Sequence, residues 1–452
     1  MSTSNKSLLT GGLIDIEVNL IINKTNNLRN SMEYQVLLHT PKKDIELTII
    51  KSIETLRDYN ENIGDYWILE FSMEAGTYAK HIHPYRDNLE VTIIKSYKYN
   101  IKEPSTWRYK LVIMSQTENM DSSQYSKATE EELNKTSMLN VTGQLVYREL
   151  EGIRSIYVDG VYKQTTLKNM ILALFYDAGK KITIEGNKMD LCIDMTEPAN
   201  RTRYRNVLIP TGITLADLPS YLQNVAYGMY NGGIGTYLQE YNGSRVVFIY
   251  PLYSTDAYEK AKDKRLTIFH ANTARLDHIE NTFTVDGDNV KIIATSQAKN
   301  KDMGTNTLIS QGDGIMYNQS EQVLNRNFEI QDDGIMFDKT KQLSASTIVN
   351  RRDGQVKTVY VGADSNLYRQ RTQILKNTLS FIQIPWKFSN QDIIYPGMPC
   401  CYIFEDSVKG LVKLNGTVQA IYTKYDGGKK THVSILIIAV ASPNVWDLNK
   451  KE

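Results

Sequence analysis

Along the first hundred residues, apolar and polar positions alternate with a period of two. Ile14, Ile16 and Val18 are separated by acidic side chains, and the pattern returns in IELTII (45–50), YWILEFSM (66–73), LEVTIIKSYKY (89–99) and WRYKLVIM (107–114). Alternation of this kind places one face of a strand in a core and the other in water. Breaks at Pro41, Gly64, Gly76, Pro84 and Pro104 keep the strands short, which favours a barrel or sandwich over a doubly wound sheet. From Ser115 to Ser137 apolar residues almost vanish, as in a linker or solvated arm.

The period then changes to 3.6. In TTLKNMILALFYDAGKK, Leu167, Met170, Ile171, Leu174 and Phe175 form one stripe, with Thr166 placed to cap the helix and Gly179 to end it. A second helix is predicted in LADLPSYLQNVAYGMYNGG, with the stripe Leu218, Leu222, Val225, Ala226 and Met229, Pro219 at the first helical position and Asn231-Gly232 closing it. YLQEYNGSRVVFIY predicts a hairpin with Asn242-Gly243 at its tip. Strands resume in RLTIFH and TFTVDGDNVKIIATS. A last helix is predicted in SNLYRQRTQILKN from Ser365, and β structure from LSFIQIPWKF to ILIIAVA is broken by Pro396-Gly397 and Asp426-Gly427-Gly428.

Composition narrows the function. The 452 residues carry 52 basic and 51 acidic side chains, so no electrostatic bias points to nucleic acid or an anionic membrane. Three cysteines make no disulfide framework, and Cys192, Cys400 and Cys401 read as small core residues of a reducing compartment. A polar start without a signal-like apolar stretch, and no run near the ~20 residues of a membrane span, read as a soluble intracellular product without a membrane segment. Twenty-nine tyrosines against ten phenylalanines suit half-buried strands and wet interfaces.

Catalytic signatures are missing: no phosphate loop, nucleophile elbow, zinc-protease helix or paired C-x-x-C occurs. His81 and His83 in KHIHPY share one side of an expected strand, but two ligands do not make a zinc site. Three Asp-Gly steps are evenly spaced, at Asp313-Gly314, Asp333-Gly334 and Asp353-Gly354. QGDGIMYN and QDDGIMFD put Ile-Met-aromatic where calcium ligands belong, so the aspartates read as turn residues. Each of these two segments is expected to fold as a hairpin about its Asp-Gly. Met316, Tyr317, Met336 and Phe337 on the arms become candidate contacts with a subunit or partner. No catalytic residue, cofactor or metal ligand is assigned.

Two segments carry a family resemblance. VLIPTGITLADLPSYLQNVAYGMYNGGIGTYLQEYNGSRVVFIYPL resembles the middle of the baseplate hub protein of T-even-like contractile phages, and IYPGMPCCYIFEDSVKGLVKLNGTVQAIYTKYDGGKKTHVSILI resembles that family's last barrel. The resemblance implies a mainly β (α+β) fold with two related β-barrels, the second discontinuous, and a small α/β domain between. Boundaries follow at 1–115 for the first barrel, 116–140 for a polar arm, 141–245 for the α/β domain, and 246–290 plus 375–445 for the split barrel. Residues 291–374 form an insertion with Asp-Gly hairpins and a helix. It implies a virion structural protein, not an enzyme: a homotrimeric ring in the tail baseplate, assembled in the host cytoplasm. Its partners would be the hexameric tail tube, the threefold central spike and surrounding baseplate proteins. A carbohydrate- or host-receptor-binding β module of a phage tail remains as a second reading, and a wall-degrading tail enzyme as a third.

Overall fold

The computed structural model describes residues 4–23, 32–60, 62–97, 105–117, 138–179, 183–184, 187–188, 191–241, 244–270, 282–294, 299–300, 309–310, 315–321, 326–332, 336–337, 347–350, 355–358, 368, 372, 375, 379–406, 410–429 and 431–441. The chain is mainly β, as the alternation implies. Its first element departs from expectation: Ile14, Ile16 and Val18 lie on a helix, α1 (Ser4–Asn23), not on a strand. Ile14, Val18 and Ile21 also fit a helical spacing, and burial of that side against Phe269 and Ile293 decides the matter.

The N-terminal half contains β1 (Met32–His39), β2 (Asp44–Glu46), β3 (Ile49–Asp58), β4 (Tyr66–Glu74), α2 (Ala75–His81), β5 (Leu89–Tyr97), β6 (Ser105–Thr117) and β7 (Met138–Val146). They pair antiparallel in the order β3-β4-β7-β6-β5-β1-β2. Trp67, Leu69 and Phe71 of β4 alternate inward to meet Val91 and Ile93 of β5 and Leu111 of β6. KHIHPY forms the end of α2 and a 3₁₀ turn, His83–Tyr85, so His81 and His83 are not strand neighbours. β6 runs two residues past the expected edge of the polar arm; residues 118–137 lie outside the described ones.

The middle of the chain holds α3 (Arg148–Ser155), β8 (Tyr157–Thr165), α4 (Leu167–Gly179), the two-residue pair β9 (Thr183–Ile184) and β10 (Asn187–Lys188), β11 (Cys192–Met195), β12 (Tyr204–Thr214), α5 (Leu218–Tyr221), β13 (Ile234–Tyr241) and β14 (Ser244–Pro251). The Thr166 hydroxyl accepts the Asn169 N–H at 3.2 Å, capping α4 as its position suggests. After α5, with Pro219 in its first turn, the chain underwinds into a π turn, Leu222–Ala226. The wider turn rotates Val225 out of the expected stripe, leaving it 66% exposed while Leu218, Leu222 and Met229 stay buried. Tyr241 pairs with Ser244, so the predicted hairpin forms, its two tip residues lying outside the described ones.

The C-terminal half follows: α6 (Ala257–Lys260), β15 (Leu266–His270), β16 (Phe283–Asp286), β17 (Asn289–Ala294) and β18 (Lys299–Asn300). It resumes after residue 378 with β25 (Leu379–Lys387), β26 (Pro399–Asp406), β27 (Gly410–Asp426) and β28 (Thr431–Ala441). Between lie β19 (Ile309–Ser310), β20 (Ile315–Glu321), β21 (Arg326–Asp332), β22 (Met336–Phe337), β23 (Thr347–Asn350) and β24 (Gln355–Thr358). Tyr368, Thr372 and Leu375 are helical, within the last predicted helix; its start at Ser365 lies outside the described residues. Cys400 and Cys401 are buried, but Cys192 is exposed and is no core residue.

The two halves share one sheet. The seventeen-residue β27 pairs with β26 through Gly410–Thr417, then from Ala420 to Asp426 takes β3 of the N-terminal half as its neighbour. β28 runs along its other side, with a register shift between Val418 and Ala420. Gly416 makes this packing possible, since a Cβ there would sit 1.9 Å from the Ala439 carbonyl oxygen. The hydrogen-bonded path stays open, ending at β16 and β2. A side chain spans part of the C-terminal gap: the Thr282 hydroxyl donates to the Lys387 carbonyl at 2.8 Å and accepts the Trp386 indole N–H at 3.0 Å. Thr282→Val leaves the buried Trp386 indole N–H without its acceptor. Urea unfolding is expected to show a loss of about 2–3 kcal/mol, and a change under about 0.5 kcal/mol would show the bridge to be dispensable.

Candidate functional site: a buried charged junction beneath an outward apolar row

Charge is buried where the three parts of the chain meet. Arg57 of β3 and Lys95 of β5 are each 0% exposed. Arg57 donates through Nε to Asp65 at 3.2 Å, through Nη2 to Asp392 at 3.1 Å and through Nη1 to the Gln391 carbonyl at 2.8 Å. Lys95 Nζ lies 3.3 Å from Asp392 and 3.7 Å from Glu240 of β13, and sits over the Trp67 ring. N-terminal half, middle unit and C-terminal half are thus joined through ionised groups. Burial disfavours both cations, but Asp65 and Asp392 around Arg57, and Asp392 and Glu240 around Lys95, hold their pKa values well above the usual ones. Burial raises Asp392 as well, and Lys95 and Arg57 outweigh it, so its pKa is lowered.

Tyrosines supply the remaining donors. Asp65 accepts from Tyr147 at 2.6 Å, Tyr237 at 2.9 Å and the Trp67 indole at 3.2 Å, in addition to Arg57. Burial first, then the Asp65 charge, keeps Tyr147 and Tyr237 protonated far into the alkaline range. Around them Tyr59 donates to Gln239, Tyr250 to the Tyr59 carbonyl, and Gln239 to the Ile394 carbonyl. Arg245 of β14 is enclosed by rings, 3.9 Å from Tyr147, 4.3 Å from Trp107 and 5.3 Å from Tyr109, with Glu149 of α3 at 3.6 Å. The tyrosine excess therefore serves in good part inside the chain, where an Asp at 65 and an Arg at 57 gave no sequence signal of burial.

The opposite face of the shared sheet is unusually apolar. Antiparallel neighbours point the same way, and one row runs Pro385, Ile435, Tyr422, Leu56 and Tyr66 across β25, β28, β27, β3 and β4. All five are half-buried or exposed, Ile435 at 36%. Five strands make the row roughly 19 Å long. A parallel row of Lys387, Val433, Lys424, Glu54, Ile68, Gln144 and Val112 adds more apolar surface around the Lys424–Glu54 ion pair at 2.6 Å. Facing inward beneath them are Thr55, Arg57, Thr423, Ser434 and His432. Polar groups thus stand among the buried apolar ones on the inner side, while apolar residues share the outer side with charged ones.

The Asp-Gly arms fold differently from the expected hairpins. β20, after the first Asp-Gly, pairs with β21, before the second; β19, before the first, pairs with β22, after the second. Met316 faces Gln331 and Tyr317 faces Ile330, while Met336 and Phe337 lie opposite Ser310 and Ile309. The first two Asp-Gly steps are thus not tips of their own hairpins. The third is, since Asn350 pairs with Gln355 across residues 351–354. The Asp-Gly residues, and the side chains of the four candidates, lie outside the described ones.

One constellation imitates a nucleophilic triad. His39 bonds Asp44 through Nδ1 at 2.8 Å and Thr92 through Nε2 at 2.7 Å. Thr92 sits in the middle of β5 between β1 and β6, which leaves no free pair of backbone N–H groups beside it for an oxyanion. The three residues hold strands together. Among the described residues no group of three or more His, Cys, Asp or Glu side chains is placed to hold a metal ion. No described helix is long and apolar enough to cross a membrane.

Asp65→Asn should destabilise the protein by about 3–5 kcal/mol, because it strips a buried guanidinium of its partner and turns a four-donor acceptor into an amide. Equilibrium unfolding in urea reads the loss directly. A cost below about 1 kcal/mol would mean that Asp392 alone satisfies Arg57.

No protein-family model and no curated protein sequence matches this chain. Its structure is similar to solved tail proteins. The tail protein from Neisseria meningitidis MC58 is 10% identical, with a TM-score of 0.45 over 91% of this chain and 98% of that one. The 43 kDa tail protein of prophage MuSo2 from Shewanella oneidensis is 10% identical, with a TM-score of 0.47 and the same coverage. The E. coli c3393 protein, a component of the type VI secretion system with structural similarity to T4 bacteriophage tail proteins gp27 and gp5, is 9% identical, with a TM-score of 0.40 over 87% of this chain and 74% of that one. These are likenesses of chain path, and functional weight rests on the geometry above.

Proposed function

We propose that this chain is a virion structural protein of a phage tail: the baseplate hub, a homotrimeric ring that adapts a sixfold tail tube to a threefold spike. The observation that carries the reading is β27, which leaves β26 and takes up β3, so that two β halves lie side by side in one sheet. Three such chains would offer six β halves around one axis, the count needed to meet a hexameric tube while keeping threefold symmetry toward the spike. The middle unit is welded to both halves by the charged junction, as suits a rigid adaptor. Tube, spike and neighbouring baseplate proteins are the partners this role requires, and catalysis is no part of it.

The outward apolar row is the proposed subunit contact, because it spans both halves and would otherwise leave Tyr422 and Ile435, with Val433 of the row beside it, facing water. Met316, Tyr317, Met336 and Phe337 are proposed as a second contact, made with a neighbour or partner. Light scattering at tens of micromolar is expected to give three times the chain mass, with an interface above ~2,000 Å². A strictly monomeric protein, with no ring in electron micrographs, overturns the hub reading. Tyr422→Asp combined with Ile435→Asp should reduce the mass to one chain with an unchanged far-ultraviolet spectrum. A trimer that survives both charges removes the row from the interface. Tyr317→Asp with Phe337→Asp should impair assembly in the same assay or in baseplate reconstitution; untouched assembly would leave the insertion a decorated loop.

A further inference from the structure

The charged junction holds an odd number of ionisable carboxyl and basic groups. Three cations, Arg57, Lys95 and Arg245, lie among four carboxyls, Asp65, Asp392, Glu149 and Glu240, so one carboxyl is in excess. Glu240 is the group left over. It is 7% exposed, and its Oε2 makes no hydrogen bond, the Lys95 ammonium lying too far away at 3.7 Å. A second acceptor is in the same position: Gln391, in the 3₁₀ turn packed against β13, has a buried Oε1 without a donor. Glu149 Oε2 and the Nε and Nη1 of Arg245 are likewise buried without hydrogen bonds, so the surplus is one of charge: with Glu240 ionised the junction carries one negative charge too many, and one proton would neutralise it.

We propose that Glu240 is the proton-binding group of this junction, and that one proton taken from solvent onto its carboxylate tightens the three parts of the chain. Protonation converts a surplus buried negative charge into a neutral O–H donor. Loss of the proton leaves the cluster with one uncompensated charge, shared among strands from all three parts. Every element around Glu240 contributes to this balance: Lys95 from β5, Asp392 from the turn, Arg245 opposite it on β14, Arg57 from β3, and Tyr109 from β6. Burial, then the Asp392 charge, outweighs the pull of Lys95, Arg245 and Arg57, and the Glu240 pKa is pushed up to about 7. The proposal is independent of the hub reading, since it concerns how one chain holds together.

The sign follows from linkage. The unfolded chain releases this proton near 4.5, and the folded chain keeps it until about 7, so stability falls as pH rises between those values and is level above them. His270 acts oppositely: burial lowers its pKa, so its share of stability rises with pH. The comparison must therefore be between variants. Thermal unfolding of the full chain and of Glu240→Gln, each from about pH 5 to pH 8, isolates the term. The Tm difference, variant minus wild type, is expected to grow more favourable to the variant as pH rises, then level off near 7. A difference independent of pH overturns the proposal. Should Glu240→Gln fail to fold, the wild-type protein still decides the matter by infrared spectroscopy in heavy water. A carboxylic-acid carbonyl band present at pH 6 and lost at pH 8 supports it, and no such band at pH 6 sinks it.

Discussion

Everything in this molecule is organised around the burial of Arg57. A guanidinium with no exposed surface is tolerable only if its partners arrive from elsewhere in the chain, and they do: Asp65 from the loop before β4, Asp392 and the Gln391 carbonyl from beyond residue 390. The N-terminal half cannot therefore complete its own core without the C-terminal half. Tyr147 and Tyr237 bring the middle unit to the same carboxylate. The chain reads as three units along the sequence, yet energetically it has one joint, and removing any partner leaves charge stranded in all three.

This joint explains the polarity of the shared sheet. Along β3, Ile53, Thr55 and Arg57 point inward, as does Tyr59 just after it, while Glu54 and Leu56 point outward. β27 and β28 continue the scheme, with hydroxyl contacts between Thr423, Ser434 and Ser389 on the inner side. Arg57 finds partners across the joint and Thr423, Ser434 and Ser389 find one another, which lowers the cost of these polar inner positions. Apolar residues on the outer side of the same strands form the row proposed above as a contact. Buried network and outward row are two faces of the same strands.

Much of the plan was legible in the sequence. The strands β4 to β6, helix α4 with its Thr166 cap and the β13–β14 hairpin follow from period, capping and turn chemistry, all local signals. What failed was whatever a distant partner decides. Ile14 to Val18 fits a strand as well as a helix until Phe269 and Ile293 are in place. Val225 joins a helical stripe until the π turn rotates it away. The Asp-Gly arms were paired with their nearest neighbours in sequence, while the ladder pairs them one step apart, a register that turn chemistry alone does not encode. Arg57 and Lys95 look like surface residues at any local window, and the tyrosines around them look like interface.

Arg57 also fixes which way β3 faces. By pattern alone, Leu56 belongs inside and Arg57 outside, and a one-residue slip would deliver that arrangement along the whole strand. The slip would also remove the guanidinium from Asp65 and Asp392, leave Tyr147 and Tyr237 donating to an unbalanced carboxylate, and turn Glu54 inward without its Lys424 partner. The observed register is thus held in place by what the alternative would strand, Ile53 turned outward included. It is the same register that sets Leu56 beside Tyr422 and Tyr66 in the outward row. An inward charge that specifies strand register thereby specifies the outward surface as well.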